Sequence, residues 1–239
     1  DVCSSDLIHK DRGLVGDIFS GAVISKLQGH SAIGHNRYST AGGNTSENLQ
    51  PLFMKSSLGW VSIAHNGNLV NAPELIKQQE REGSIFQSTS DTEVILHLMA
   101  RSQKRDLREA LVDALSKVEG AYSLLVLNSE FLIAIRDPKG FRPLVLGRKN
   151  DRPVFASETT AFDLIGAKYE REIEPGEMCI VSLKNNFETV SSFPFNKEPV
   201  RRCVFEQVYF ARPDSFVFNS TVYQKRKNLG KQLAEEQPA

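Results

Sequence analysis

Three short stretches of the chain hold residue types that could bind and split a small polar substrate. The first is Gly34-His35-Asn36-Arg37-Tyr38-Ser39-Thr40-Ala41-Gly42. An arginine between a strand-like run and a set of small hydroxyl residues presents a rigid fork of donors beside a tight turn. Such a fork grips a carboxylate through two parallel hydrogen bonds. Read alone, an arginine of this kind is more often one half of a surface ion pair. The second stretch is Ala64-His65-Asn66-Gly67-Asn68-Leu69. Asn-Gly is the strongest short hairpin signal, so a turn is the plain reading. The same pair also fits an oxyanion hole, with the Asn66 side-chain amide and the Gly67 backbone N–H aimed at one developing charge. Losing one such donor costs about 3 kcal/mol of transition-state stabilisation. The third is Ser88-Thr89-Ser90-Asp91-Thr92-Glu93. Ser90 and Asp91 suit a helix start, and Asp91 also suits a substrate ammonium group. Arg37 for an α-carboxylate and Asp91 for an α-amine together make what a site for a free amino acid needs. Residue types alone do not show that the two converge.

The elements that must position these residues follow from local pattern. Gly13–Phe19, Ser31–His35 and Trp60–His65 read as strands, with β-branched and aromatic residues bounded by Gly, Asn and Ser. Asn71-Ala72-Pro73-Glu74 and Ser90-Asp91-Thr92-Glu93 both have the form of a capping box at a helix start. Leu107, Leu111, Ala114, Leu115 and Val118 recur at helical spacing, which predicts a third helix ending near Gly120. Ala121–Leu127 and Phe131–Arg136 read as a hairpin around Asn128-Ser129-Glu130. Pro143–Leu146, Pro153–Ala156 and Glu177–Leu183 continue as strands around a short helix at Thr159–Ile165. Strands, then helices, then strands predict an α+β layered fold with antiparallel sheets. Past Pro199 the composition shifts, and a basic helix is expected over Tyr223–Glu236. Its Lys225, Arg226, Lys227 and Lys231 read as a solvated face.

Lys plus Arg equals Asp plus Glu at 29 each, so the formal net charge is zero. That balance leaves no electrostatic footprint for nucleic acid or an anionic membrane. No apolar run approaches the roughly 20 residues of a membrane-spanning helix, and no signal peptide is visible. Three cysteines at wide spacing (Cys3, Cys179, Cys203) argue against a disulfide framework. The expectation is a soluble cytoplasmic protein. Cys179 reads as a small core residue, His97 as a helix residue, and His35 and His65 as strand-end structure; the histidines show no metal spacing. Asp1–Leu7 fits neither period and resembles a translated sequencing-adapter artefact. The chain is expected to be truncated at both ends.

GHNRYSTAG (34–42), AHNGNL (64–69) and STSDTE (88–93), in this order, resemble the N-terminal-nucleophile glutamine amidotransferases. IRDPKGFRPLVLG (135–147), FASET (155–159) and VYFARPDS (208–215) are similar to the amidophosphoribosyltransferase family within that group. The resemblance runs from about Gly13 to Glu236. It implies a four-layer αββα sandwich of the N-terminal-nucleophile hydrolase type over 13–200, incomplete for lack of the nucleophile strand. Residues 201–239 would begin a phosphoribosyltransferase domain, with Arg212-Pro213-Asp214-Ser215 as its entry, and 1–12 would lie outside the family. It further implies that Arg37 and Asp91 clamp the glutamine α-carboxylate and α-amine, with Thr40 assisting, and that Asn66 and Gly67 form the oxyanion hole. In the family a terminal cysteine attacks the glutamine side-chain amide, with its own α-amino group (unperturbed pKa about 7.7–8.0) as base. The ammonia then displaces pyrophosphate from phosphoribosyl pyrophosphate, with Mg2+, to give 5-phosphoribosylamine in the first step of purine synthesis. Full-length members are commonly homo-oligomers.

The chain departs from the family at the nucleophile. The expected terminal Cys and its Gly-rich strand do not precede Gly13, and Cys3 has no surroundings that would make it reactive. This chain is therefore expected to release no ammonia from glutamine. Some family members hold a [4Fe–4S] cluster with a cysteine near position 203; four thiolates are required, so this chain alone supplies no cluster. Two alternatives differ in kind. One is the glutaminase domain of a glucosamine-6-phosphate synthase, disfavoured because that group has Trp-Ala-Thr-His after the arginine where this chain has Tyr38-Ser39-Thr40-Ala41. The other is a non-catalytic glutamine-binding or regulatory module.

Overall fold

The computed structural model describes residues 7–36 and 46–237 of the 239. The first described segment carries two single-turn helices, α1 (Val15–Ile18) and α2 (Gly21–Ile24), neither with a buried residue. Two expected strands are corrected here. Residues 13–19 contain α1 rather than a strand, and 31–36 adopt no regular element. A strand needs a ladder partner, and nothing in the apolar composition of Leu14, Val15, Ile18 and Phe19 supplies one. Spacings of one, three and four residues serve a helical turn equally well.

Two strands, β1 (Leu52–Ser56) and β2 (Gly59–Leu69), then pair antiparallel with Leu52 opposite Ile63 and Ser56 opposite Gly59. β2 buries every residue from Val61 to His65. Three helices follow: α3 (Ala72–Arg81), α4 (Asp91–Arg101) and α5 (Leu107–Leu115). Val94, Ile95, Leu98 and Met99 form the buried apolar stripe of α4, and Leu107, Leu111, Ala114 and Leu115 on α5 are buried as their helical spacing predicts. Asn71 does not cap α3 with its side chain. Its amide reaches instead to the Glu119 N–H (2.8 Å) and the Lys117 carbonyl (3.0 Å), tying the helix start to the strand that follows α5.

That strand is β3 (Gly120–Leu127), joined to β4 (Phe131–Arg136) by the expected hairpin. The Asn128 carboxamide oxygen accepts from the Glu130 and Phe131 N–H groups at 2.9 and 2.7 Å. The remaining elements are β5 (Val145–Lys149), β6 (Arg152–Ala156), α6 (Thr160–Ile165), β7 (Lys168–Glu172), β8 (Met178–Ser182), β9 (Thr189–Ser192), a π-helix at Glu206–Phe210, β10 (Phe216–Val217), β11 (Ser220–Thr221) and α7 (Val222–Glu236). One sheet runs β1-β2-β3-β4-β8-β9, a second β6-β5-β7, and β10 pairs with β11. Helices with antiparallel sheets make the class α+β.

The chain divides into two compact units. One holds the chain to Gly120 with Leu124–Ala134 and Ile180–Val190; the other holds Ala121–Ser123, Ile135–Cys179 and the chain from Ser191. In the second, the motif 135–147 leads from the end of β4 through a turn into β5. Arg136 is fully buried and donates to the Arg142, Ile173 and Gly140 carbonyls and to Glu172. Asp137 accepts from the Lys139 and Phe141 N–H groups. The motifs 155–159 and 208–215 meet. Glu158 accepts the Arg212 N–H (3.0 Å) and the buried Ser215 hydroxyl (2.5 Å), and Thr159 accepts the Phe216 N–H. Arg226 is not part of a solvated face: its guanidinium donates to the Gln207 and Ala211 carbonyls, holding the π-helix against α7. Lys225, Lys227 and Lys231 are exposed as expected.

Candidate active site: the end of β2 and the start of α4

β2 does not turn at Asn66-Gly67; it continues to Leu69. With β3 on its other side, the strand has a ladder partner through this stretch, and that outweighs the turn preference of the dipeptide. Burial changes along it: His65 is buried, Asn66 half-buried, Gly67 and Asn68 exposed, and Leu69 buried again. Asn66 and Gly67 therefore sit where the strand emerges from the core.

Asp91 opens α4, capped by Ser90. One carboxylate oxygen accepts the Leu69 N–H at 2.8 Å; the other lies 3.4 Å from the Thr92 hydroxyl and 3.7 Å from His65 Nδ1. About a quarter of the side chain, 25%, stays accessible. Burial pushes this carboxyl up, but the His65 hydrogen bond and charge, the Leu69 N–H and the Thr92 hydroxyl together hold it below its usual value. A helix N-terminus favours the anion as well. Asp91 thus stands as a charged, partly open carboxylate tied to the strand that carries Asn66 and Gly67.

The sequence reading missed the residues that build this corner. The Gln50 carboxamide accepts the His65 N–H at 2.6 Å and lies 3.4 Å from both the His65 carbonyl and the Thr92 hydroxyl. His65 Nδ1 is 3.0 Å from Thr92 Oγ1, and His35 Nε2 is 3.0 Å from the His65 carbonyl. Neither histidine is strand-end structure: His65 lies inside β2, and His35 lies on no strand. His97 is a helix residue on α4. The only local signal for Gln50 was a Gln before a Pro, which predicts nothing by itself.

Arg37 and Thr40 lie outside the described residues, as does Cys3. His35 and Gln50 both bond to the His65 backbone. A cavity of about 650 Å3 borders the corner, with His35, Asn36 and Gln50 in its wall and Phe53, Ser62 and Leu127 of the sheet among its lining. Asn66, Gly67 and Asp91 are not part of that lining.

Cys179 is fully buried and burial pushes its thiol up to about 11, as suits an inert core residue. Cys203 is half-buried and donates its N–H to the Phe141 carbonyl. Among the described residues no group of three or more His, Cys, Asp or Glu could hold a metal ion. No described helix is long and apolar enough to cross a membrane.

Comparison with known proteins matches residues 35–164 to the model of a glutamine amidotransferase domain. The chain is 47% identical over 230 residues to the amidophosphoribosyltransferase of Bacillus subtilis (strain 168), covering 95% of this chain and 48% of that one. It is 48% identical to amidophosphoribosyltransferase 2, chloroplastic, of Arabidopsis thaliana, covering 95% and 40%. The chain thus spans about half the length or less of the curated relatives it matches. Among solved structures, an allosteric regulatory enzyme of purine biosynthesis superposes with a TM-score of 0.89 at 45% identity, covering 95% of this chain and 48% of that one. Glutamine phosphoribosylpyrophosphate amidotransferase from B. subtilis, complexed with ADP and GMP, superposes with a TM-score of 0.88 at 43% identity, covering 95% and 49%.

Proposed function

The chain belongs to the glutamine amidotransferase domain family, and from that premise we propose that the corner between β2 and α4 holds glutamine for hydrolysis of its side-chain amide. Asp91 takes the α-ammonium group, and Arg37, assisted by Thr40, takes the α-carboxylate. When the amide carbon becomes tetrahedral, its oxygen takes on negative charge. The Asn66 carboxamide and the Gly67 N–H are the donors assigned to that charge. The attacking group is assigned to no residue of this chain.

One observation carries this reading. The Leu69 N–H bonds to Asp91 at 2.8 Å, which brings the ammonium acceptor to the strand that bears both oxyanion donors. The test is calorimetric titration of the chain with glutamine. Binding is expected, and Asp91→Asn should weaken it about tenfold or more, the loss typical of a charge-assisted hydrogen bond. No heat with glutamine would refute the reading.

The likeness over nearly the whole chain supports a larger proposal, that the parent protein is an amidophosphoribosyltransferase. It would pass the ammonia to phosphoribosyl pyrophosphate, giving 5-phosphoribosylamine and pyrophosphate. Residues from 201 onward would begin the phosphoribosyltransferase domain. Mg2+ would accompany phosphoribosyl pyrophosphate, with no residue of this chain assigned to it. The protein would work in the cytoplasm as a homo-oligomer. Glutamine-dependent release of pyrophosphate by the whole gene product tests this; failure with both glutamine and ammonia would refute it.

A further inference from the structure

Glu93 sits three residues past the α4 cap, where a capping-box glutamate ordinarily bonds back to the cap residue's own N–H. Here it does something else. One carboxylate oxygen accepts the Gln87 N–H at 2.8 Å, and the other accepts the Ser88 N–H at 2.8 Å and the Ser88 hydroxyl at 2.5 Å. Ser88 Oγ in turn accepts the Ser90 N–H at 3.3 Å, so the cap is reached by relay. His97, one turn along, brings Nε2 within 3.4 Å of the same carboxylate and packs its ring 4.4 Å from Phe86. Glu93 itself is 3% exposed, so its carboxylate is buried while the Gln87 and Ser88 backbone that it gathers stays partly open to solvent. Thr89, next along the chain, is held by a different partner. Its N–H donates to the Asn48 carboxamide at 3.0 Å and its hydroxyl accepts from the same group at 2.8 Å.

Four consecutive residues, Gln87 to Ser90, are thereby fixed immediately before Asp91. Their sequence of Ser and Thr has no regular element to hold it, so side chains do. We propose that Glu93 is a positioning residue for amino-group recognition: by gathering the 87–90 backbone it sets where the Asp91 carboxylate stands. This rests on the assignment of Asp91 to the α-ammonium group made above.

The charge state fits the role. Burial pushes the Glu93 carboxyl up, while His97, the Ser88 hydroxyl and the Gln87 and Ser88 N–H groups hold it below its usual value. Glu93→Gln keeps the shape but replaces one acceptor oxygen with an NH2 group. That group would face the Gln87 or Ser88 N–H donor, which then loses its acceptor.

The experiment titrates the chain and its Glu93→Gln variant with glutamine and with glutaramic acid, the analogue that lacks only the α-amino group. Glu93→Gln is expected to cut the preference for glutamine over glutaramic acid about tenfold, while affinity for glutaramic acid stays within about twofold. A loss shared equally by the two ligands would show a merely structural role and overturn the proposal, as would no loss. Should Glu93→Gln fail to fold, Ser88→Ala removes the relay hydroxyl alone. It is expected to lower the same ratio about threefold; an unchanged ratio overturns the proposal. Amide hydrogen exchange on the ligand-free proteins separates the two levels. Faster exchange at 87–91 in Glu93→Gln with unchanged α5 supports positioning even if the chain binds no glutamine, and unchanged exchange at 87–91 overturns it.

Discussion

At the residue scale, Asp91 carries charge in a setting where burial alone would favour the neutral acid. His65, the Leu69 N–H and the Thr92 hydroxyl reverse that preference and hold the carboxyl low. A carboxyl held low in the folded state adds stability above its unfolded value and loses it only as pH falls through the lower, folded one. Glutamine affinity should therefore stay level on acidification down to the ordinary carboxylate range near about 4 and fall below it. Calorimetry across that range checks this; a loss of affinity already at about pH 6 would contradict it. The role proposed for Asn66 makes a different prediction, because an oxyanion donor acts only as charge develops. In the whole protein, Asn66→Ala should slow ammonia release from glutamine about a hundredfold while leaving glutamine affinity nearly unchanged. An equal effect on affinity and rate would assign Asn66 to ground-state binding instead.

At the element scale, two backbone positions decide whether the scaffold holds. Gly120 opens β3 with φ +135°, and a Cβ there would lie 2.3 Å from the Asn68 carbonyl oxygen and 2.9 Å from Leu69 Cα. Those are the last residues of β2, so the close approach of β3 helps to set the end that carries Asn66 and Gly67. Gly120→Ala should destabilise the protein by about 1–3 kcal/mol in denaturant melts, the usual cost of forcing atoms into packed backbone. Phe218 is the opposite case, a bulky residue at φ 53° in the two-residue turn between β10 and β11, followed by Asn219 at φ 62°. Its ring lies under the guanidinium groups of Arg136 (5.6 Å) and Arg202 (5.2 Å) and joins the buried cluster of Ala211, Val217 and Val222. Phe218→Gly would relieve about 1–2 kcal/mol of left-handed strain but forfeit about 3–5 kcal/mol of buried aromatic contact. Packing wins, so the variant should melt lower than the parent; a higher melting temperature would show that strain dominates.

At the scale of the whole molecule, buried carboxyls of two kinds shape the dependence of stability on pH. Asp91, Glu93 and Glu177 are all held low in the folded state, so their contribution is present at neutral pH and lost in acid. Glu206 is held high. Burial, with the nearby Glu158 charge and against the pull of Arg142, raises it from 4.5 to about 7. A carboxyl raised in the folded state costs nothing below its unfolded value, and its cost grows as pH rises to the folded value. Stability should then fall from about pH 4.5 to about 7 on account of Glu206. Urea melts of Glu206→Gln across this window should show a flatter profile than the parent, and an unchanged slope would refute the assignment.

Much of this protein is legible in its sequence. α4 and α5 declare themselves because a helix writes its packing into residues three and four apart, such as Leu107, Leu111 and Ala114. The family could be named because its motifs are contiguous, and much of what those motifs do is structural. Arg136, Asp137, Glu158 and Ser215 build turns and bury hydrogen bonds, a role their one-dimensional pattern did not disclose. Residues 13–19 read as a strand yet contain α1, because a handful of apolar residues suits a strand or a helical turn, and the choice depends on whether a ladder partner exists. Asn66-Gly67 reads as a turn from the dipeptide alone, yet β2 runs through it to Leu69, because a ladder partner is again what decides. The sequence by itself therefore determined the α+β class, the longer helices and the residue types of the proposed glutamine site. Only the tertiary structure decided that β2 runs on through Asn66 and Gly67, that Asp91 bonds to Leu69 22 residues earlier, and that Asn48 reaches Thr89 41 residues on. Local periodicity reports which face of an element is buried; it carries no record of which distant backbone donor a carboxylate or amide will meet there.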